Sequence, residues 1–116
     1  MKATVNKIAV VLLAAISTCC AHAAPAPQVC PVRLDHPLRF VDVFDGSPQE
    51  LATLVPDQAQ EHSGYWQLGY IYKAGRFVTI RCKYDDGKEL DVKLSNKVDR
   101  CDYKIDAKKR LQLSCK

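Results

Sequence analysis

Four cysteines constrain this chain more than any other feature. The sequence holds six. Cys19 and Cys20 sit side by side near the start, while Cys30, Cys82, Cys101 and Cys115 are spread over the rest. An even set of cysteines in a short exported chain reads as a disulfide framework, so the first question is export. Lys2 and Lys7 give a basic start, and Ile8 to Ile16 is an apolar run. A membrane-spanning helix needs about 20 apolar residues, so this run is too short to span. Ala21-His22-Ala23 supplies a small-residue cleavage site. Together these are the marks of a secretory signal.

Cleavage is expected after Ala23, releasing a protein that begins at Ala24 into the periplasm. Cys19 follows Ile16-Ser17-Thr18, which faintly resembles a lipoprotein box. Thr18 stands where Gly, Ala or Ser is normal, so the Ala-His-Ala site is the better match and no lipid anchor at Cys19 is expected. The expected layout is a signal peptide over 1–23, a stiff tail over 24–29 with Pro25 and Pro27, and a single disulfide-bonded domain over 30–116.

Losing Lys2 and Lys7 lowers the formal net charge from +4 to +2. That balance argues against nucleic acid, which wants a strongly basic face. A domain of this size buries little core and gains from covalent bonds.

Residues 39–44, Arg-Phe-Val-Asp-Val-Phe, are rich in strand formers and end at the turn pair Asp45-Gly46. Ser47, Pro48 and Glu50 then spell a capping box with proline at the first helical position. The expectation is one short helix over Pro48 to Leu54, with Leu51, Leu54 and Val55 inward and Pro56 as its stop.

The remainder reads as an antiparallel meander. Lys73-Ala74-Gly75 suits a three-residue hairpin loop. It would pair Tyr72 with Arg76, Tyr70 with Val78, Leu68 with Ile80 and Trp66 with Cys82. Asp85-Asp86-Gly87 suggests a second such loop, pairing Tyr84 with Lys88, Cys82 with Leu90, Ile80 with Val92 and Val78 with Leu94. This register gathers the apolar side chains on one face and sets Lys83 opposite Glu89 and Arg81 opposite Asp91. A slip of one residue would scatter them.

In the last hairpin a loop over Asp106 to Arg110 pairs Ile105 with Leu111, Tyr103 with Leu113 and Cys101 with Cys115. Directly opposed strand residues lie within disulfide range. The expected bonds are therefore Cys101–Cys115 and, for the remaining two cysteines, Cys30–Cys82. The fold class is α+β, an antiparallel meander of about five or six strands with one short helix and two disulfides. The pattern does not decide between an open sheet and a barrel.

Chemistry is sparse. Ser47, Ser63, Ser95 and Ser114 lie in no nucleophile elbow. Asp45 and Glu50 are the pair a glycosidase reading would use, but one sits in a turn and the other completes the capping box. No phosphate-cradling glycine loop is present. Zinc wants ligands two to four residues apart, and His36 and His62 stand alone. No catalytic residue, metal or cofactor is expected. Trp66, Tyr70 and Tyr72 fall on the apolar face and read as core. Tyr65 and Phe77 fall on the other face and are candidates for partner contacts. The basic cluster Lys108, Lys109 and Arg110 at the last hairpin tip is another candidate, suited to an acidic partner surface.

Phe44-Asp45-Gly46-Ser47-Pro48-Gln49-Glu50, Gly64-Tyr65-Trp66, and Gly75-Arg76 leading into Cys82-Lys83-Tyr84, with the two closing cysteines, form a set. This set resembles a family of small secreted proteobacterial proteins of unassigned function, some encoded near type VI secretion genes. Ser47 stands where that family carries a small residue or proline. The resemblance covers most of the mature chain. It implies a periplasmic binding protein, an inhibitor or immunity protein that blocks a secreted toxin or hydrolase by protein–protein contact. The alternative is a structural or envelope-associated accessory domain with no enzyme target.

Overall fold

The computed structural model describes residues 28–116. The expected signal, its cleavage site and Cys19 lie outside the described residues. The chain forms β1 (Leu38–Asp45), β2 (Gln58–Ala59), β3 (Ser63–Gln67), α1 (Gly69–Lys73), β4 (Val78–Tyr84), β5 (Glu89–Lys93), β6 (Arg100–Ile105) and β7 (Leu111–Cys115). The α+β class holds, with seven strands in two antiparallel sheets. One sheet has the order β1-β4-β5, the other β2-β3-β6-β7.

Two of the three expected hairpins form as read. β4 and β5 pair Ile80 with Val92, Cys82 with Leu90, Arg81 with Asp91 and Lys83 with Glu89. Gly87 takes the left-handed conformation (φ 82°) that closes this turn. β6 and β7 pair Cys101 with Cys115, Tyr103 with Leu113 and Ile105 with Leu111.

The expected hairpin about Lys73-Ala74-Gly75 does not form. Trp66 pairs with Cys101 instead of Cys82, and β4 pairs with β1, setting Val41 opposite Cys82 and Val43 opposite Ile80. The segment between is helical because its apolar residues follow a helical period. Leu68 and Ile71 are fully buried and Tyr72 packs against the core, while Tyr70 is 58% exposed. Tyr70 is therefore not a core residue. Gly75 (φ 73°) does take the left-handed conformation, but as a helix cap. Gly75 N–H donates to Tyr72 and Arg76 N–H to Ile71, the crossed pair of a Schellman ending.

The helix expected over Pro48–Leu54 is also corrected. It shrinks to one 3₁₀ turn, Pro48–Glu50, and Leu51 turns left-handed (φ 60°) to end it. Beyond it the chain lies extended along β1. Asp45 N–H donates to Ala52, Leu54 N–H donates to Val43, and Thr53 bridges Phe44. Leu51 and Val55 point outward, at 84% and 85% exposed, and only Leu54 packs against the core. Bonding to the open edge of β1 satisfies more backbone groups than a second helical turn would, and the apolar spacing here is too short to hold a helix.

The sheets share one core. Val41, Val43, Val78, Ile80 and Cys82 from the first meet Trp66, Cys101, Leu111 and Leu113 from the second, with Leu68 and Ile71 at the junction. Trp66 Nε1 donates to the Leu54 carbonyl at 3.2 Å, which satisfies its one polar atom. Both expected disulfides form. Cys30–Cys82 ties the N-terminal segment to β4, and Cys101–Cys115 joins β6 to β7.

Candidate functional site

The expected contact residues fall in three separate places. Tyr65 lies on β3 and is half-buried. The Arg100 guanidinium covers its ring at 3.6 Å from the centroid, and Arg100 is itself held by Asp102 at 2.8 Å. A shallow groove of about 250 Å³ runs past Tyr65, Gly64, Gln58 and Tyr103. Phe77 precedes β4 on the other sheet, with Lys93 Nζ 4.2 Å from its ring centroid. Each aromatic face thus carries a cation, and the two rings sit on different sheets.

The tip between β6 and β7 is built around one carboxylate. Asp106 Oδ1 accepts the N–H groups of Lys108 and Arg110, at 2.9 and 3.0 Å, and Oδ2 accepts Arg110 Nε at 2.7 Å. These bonds, led by the Arg110 N–H, hold the Asp106 carboxyl below its usual range. Lys109 is left-handed (φ 59°), and its N–H donates to the Asp106 carbonyl at 2.9 Å. Arg110 is consequently committed to Asp106, which leaves Lys108 and Lys109 projecting from the tip.

Sequence reasoning missed Arg39. It sits where β1 is irregular: Leu38 faces Tyr84 but Phe40 faces Lys83, so Arg39 is an extra residue. Such a bulge breaks the in–out alternation and re-aims a side chain. Arg39 Nη1 donates to the carbonyls of both Lys108 and Lys109, at 2.9 Å each. Phe40, next to it, is 52% exposed. No composition signal marks a bulge.

His36 is not isolated. Its Nδ1 lies 3.0 Å from Asp85 Oδ1 and 4.0 Å from Asp86 Oδ2. The three residues bring together atoms of metal-ligand type. Arg33 already binds Asp86 through two nitrogens at 2.8 and 2.9 Å, and this fork lowers the Asp86 pKa well below the usual carboxylate range. The positive charge a metal would bring is thus already supplied by Arg33. His62 stands exposed beside Glu61.

The carboxylate pair Asp45 and Glu50 is bound by one guanidinium. Arg76 Nε donates to Asp45 at 2.7 Å and Nη2 to Glu50 at 2.9 Å. Glu50 also accepts the Ser47 N–H at 2.8 Å, and its pKa is lowered, first by Arg76 and then by that N–H. A general acid needs the opposite shift. This pair closes the turn after β1.

A family model described as type VI secretion system Tli immunity protein matches residues 31–116. The chain belongs to that family. The match begins one residue after Cys30 and takes in both sheets and the β6–β7 tip. No curated protein and no solved structure matches the chain. Membership in the Tli immunity family supports a protective role against type VI toxins and implies a protein partner. The two disulfides suit the oxidising compartment such a protein would work in. Among the described residues, no helix is long and apolar enough to cross a membrane.

Proposed function

We propose that this chain is a periplasmic immunity protein that neutralises a type VI toxin by binding it, and that it has no catalytic activity of its own. The family match over residues 31–116 carries the reading. The secretory signal read from residues 1–23 supplies the route to the periplasm. The carboxylate pair closest to a catalytic arrangement, Asp45 and Glu50, is tied up by Arg76. What remains is a small, doubly cross-linked domain whose exposed features suit contact with another protein.

The test is co-expression of the cognate toxin, directed to the periplasm, with the full chain or with a chain lacking residues 1–23. The full chain should restore growth, and the cytoplasmic version should not. Purified protein and toxin should form a stable complex. If the purified protein turns over a substrate, and an alanine in place of one polar residue abolishes this, inhibition by binding is wrong.

A further inference from the structure

We infer that the toxin docks on the surface where the β1 bulge meets the β6–β7 tip, made by Arg39, Phe40, Lys108 and Lys109, and that it presents a carboxylate-rich face there. This inference rests on the immunity reading above.

Charge singles this surface out. Among the described residues every arginine but Arg39 has a carboxylate within ion-pair distance: Arg33 has Asp86, Arg76 has Asp45 and Glu50, Arg81 has Asp91, Arg100 has Asp102 and Arg110 has Asp106. Arg39, Lys108 and Lys109 have no carboxylate within ion-pair distance among the described residues. The bonds that Arg39 does make bring it to the lysines' own carbonyls. They gather three positive charges instead of cancelling them. Like charges held together oppose folding, and an acidic partner reverses that cost on docking.

The tip is also rigid. A basic loop that is merely solvated has no need of bracing. This one is fixed by Asp106 from inside and by Arg39 from the neighbouring sheet. A tip ordered before binding loses less freedom when it docks.

The bulge adds an anchor. It turns an arginine and then a phenylalanine outward from a strand whose next alternate residues, Val41 and Val43, are core. Arginine and large aromatics are the residue types that anchor protein interfaces. A half-exposed phenylalanine beside uncompensated cations fits an apolar recess rimmed by acids.

The experiment uses the mature disulfide-bonded protein and the purified toxin against which it protects, with affinity measured by calorimetry. Lys108→Glu with Lys109→Glu should weaken binding by roughly a hundredfold or more, and Phe40→Ala by roughly tenfold or more. Lys73→Glu and Lys97→Glu, which place the same charge change elsewhere, should stay within about threefold. Near-ultraviolet circular dichroism confirms that each variant is folded. The unaltered complex gives an independent reading, since raising salt should weaken it and the weakening should flatten in the double variant. Tip and Phe40 variants that bind like the parent would overturn the docking surface and leave the immunity reading intact. So would a loss confined to Lys97→Glu, which would move the interface to the groove that Val92, Leu94, Lys97, Val98 and Cys115 line. A parent protein that protects cells but does not bind the toxin would overturn both.

Discussion

Thr79 Oγ1 donates a 2.7 Å hydrogen bond to the carbonyl of Gly46 from a side chain that is 4% exposed. Among the described residues Thr79 is the one polar residue that is buried, and its bond anchors the turn after β1 to β4. Thr79→Val keeps the shape and removes the donor, leaving a carbonyl short of a partner in a buried site. The expected cost is about 1–3 kcal/mol. Thr79→Ser, which keeps the hydroxyl, should recover most of the hydrogen-bond term. Urea midpoints of the two variants check this.

Gly64 faces the Gln58 carbonyl on β2 and the Tyr103 ring on β6 with no room for a β-carbon. Its backbone is ordinary, so contact is the whole reason for glycine here. Gly64→Ala should cost about 1–3 kcal/mol through overpacking. The near-ultraviolet signal of Trp66, whose ring sits 5.3 Å from that of Tyr103, should change with it. An unchanged signal and midpoint would contradict the placement of β3 against β6.

The disulfides differ in the length of chain they close, 14 residues apart for Cys101–Cys115 and 52 for Cys30–Cys82. The chain-entropy relation gives about 3 kcal/mol for the first and about 4 kcal/mol for the second. Against a total of roughly 5–15 kcal/mol, either loss is severe. Paired Cys→Ala replacements should therefore rank with Cys30/Cys82 as the more damaging. Peptide mapping of unreduced protein should yield only these two linked peptides.

Acid should lower the protein's stability. Glu50, Asp86, Asp91 and Asp106 all have lowered pKa values in the folded state, chiefly through bonds to Arg76, Arg33, Arg81 and Arg110 respectively. A depressed carboxyl pKa gives stability that is complete above the unfolded value, near 4, and is lost as pH falls toward the folded value. The urea midpoint should be flat from about pH 7 to 5 and drop below about pH 4. At the other extreme burial raises the pKa of Tyr72 and Tyr84 above 10.0. Stability tied to the neutral phenols is complete below that value and falls as pH rises past it.

The local turns were legible because their chemistry is short-range. Asp85-Asp86-Gly87 closes where the residues demand it, and the alternation on either side leaves one register. The β6–β7 register followed from faces alone and brought Cys101 opposite Cys115. What the sequence pattern hid was choice of partner. β3 and β4 are separated by few residues, and either could serve a hairpin. Their actual partners, β6 and β1, lie far along the chain. The three-and-four spacing of Leu68, Ile71 and Tyr72 was a helical signal, but the positive-φ requirement of Gly75 suited a hairpin loop equally well. At the surface, the basic tip was visible as a run of letters. Arg39 joined it only through a bulge, which depends on how two strands align and leaves no mark in either one.

The two disulfides each join cysteines that are consecutive along the described chain: Cys30 with Cys82, then Cys101 with Cys115. Neither bond is nested in or threaded through the other. Once Cys19 and Cys20 leave with the signal proposed for residues 1–23, a chain emerging N-terminus first into an oxidising space would present each cysteine and then its proper partner, in order. Oxidation in strict order of appearance would yield the native set, with no wrong bond to be broken and remade. Maturation of this domain should therefore be limited by the docking of distant strands, and a thiol oxidant alone, without an isomerase, should suffice to complete it.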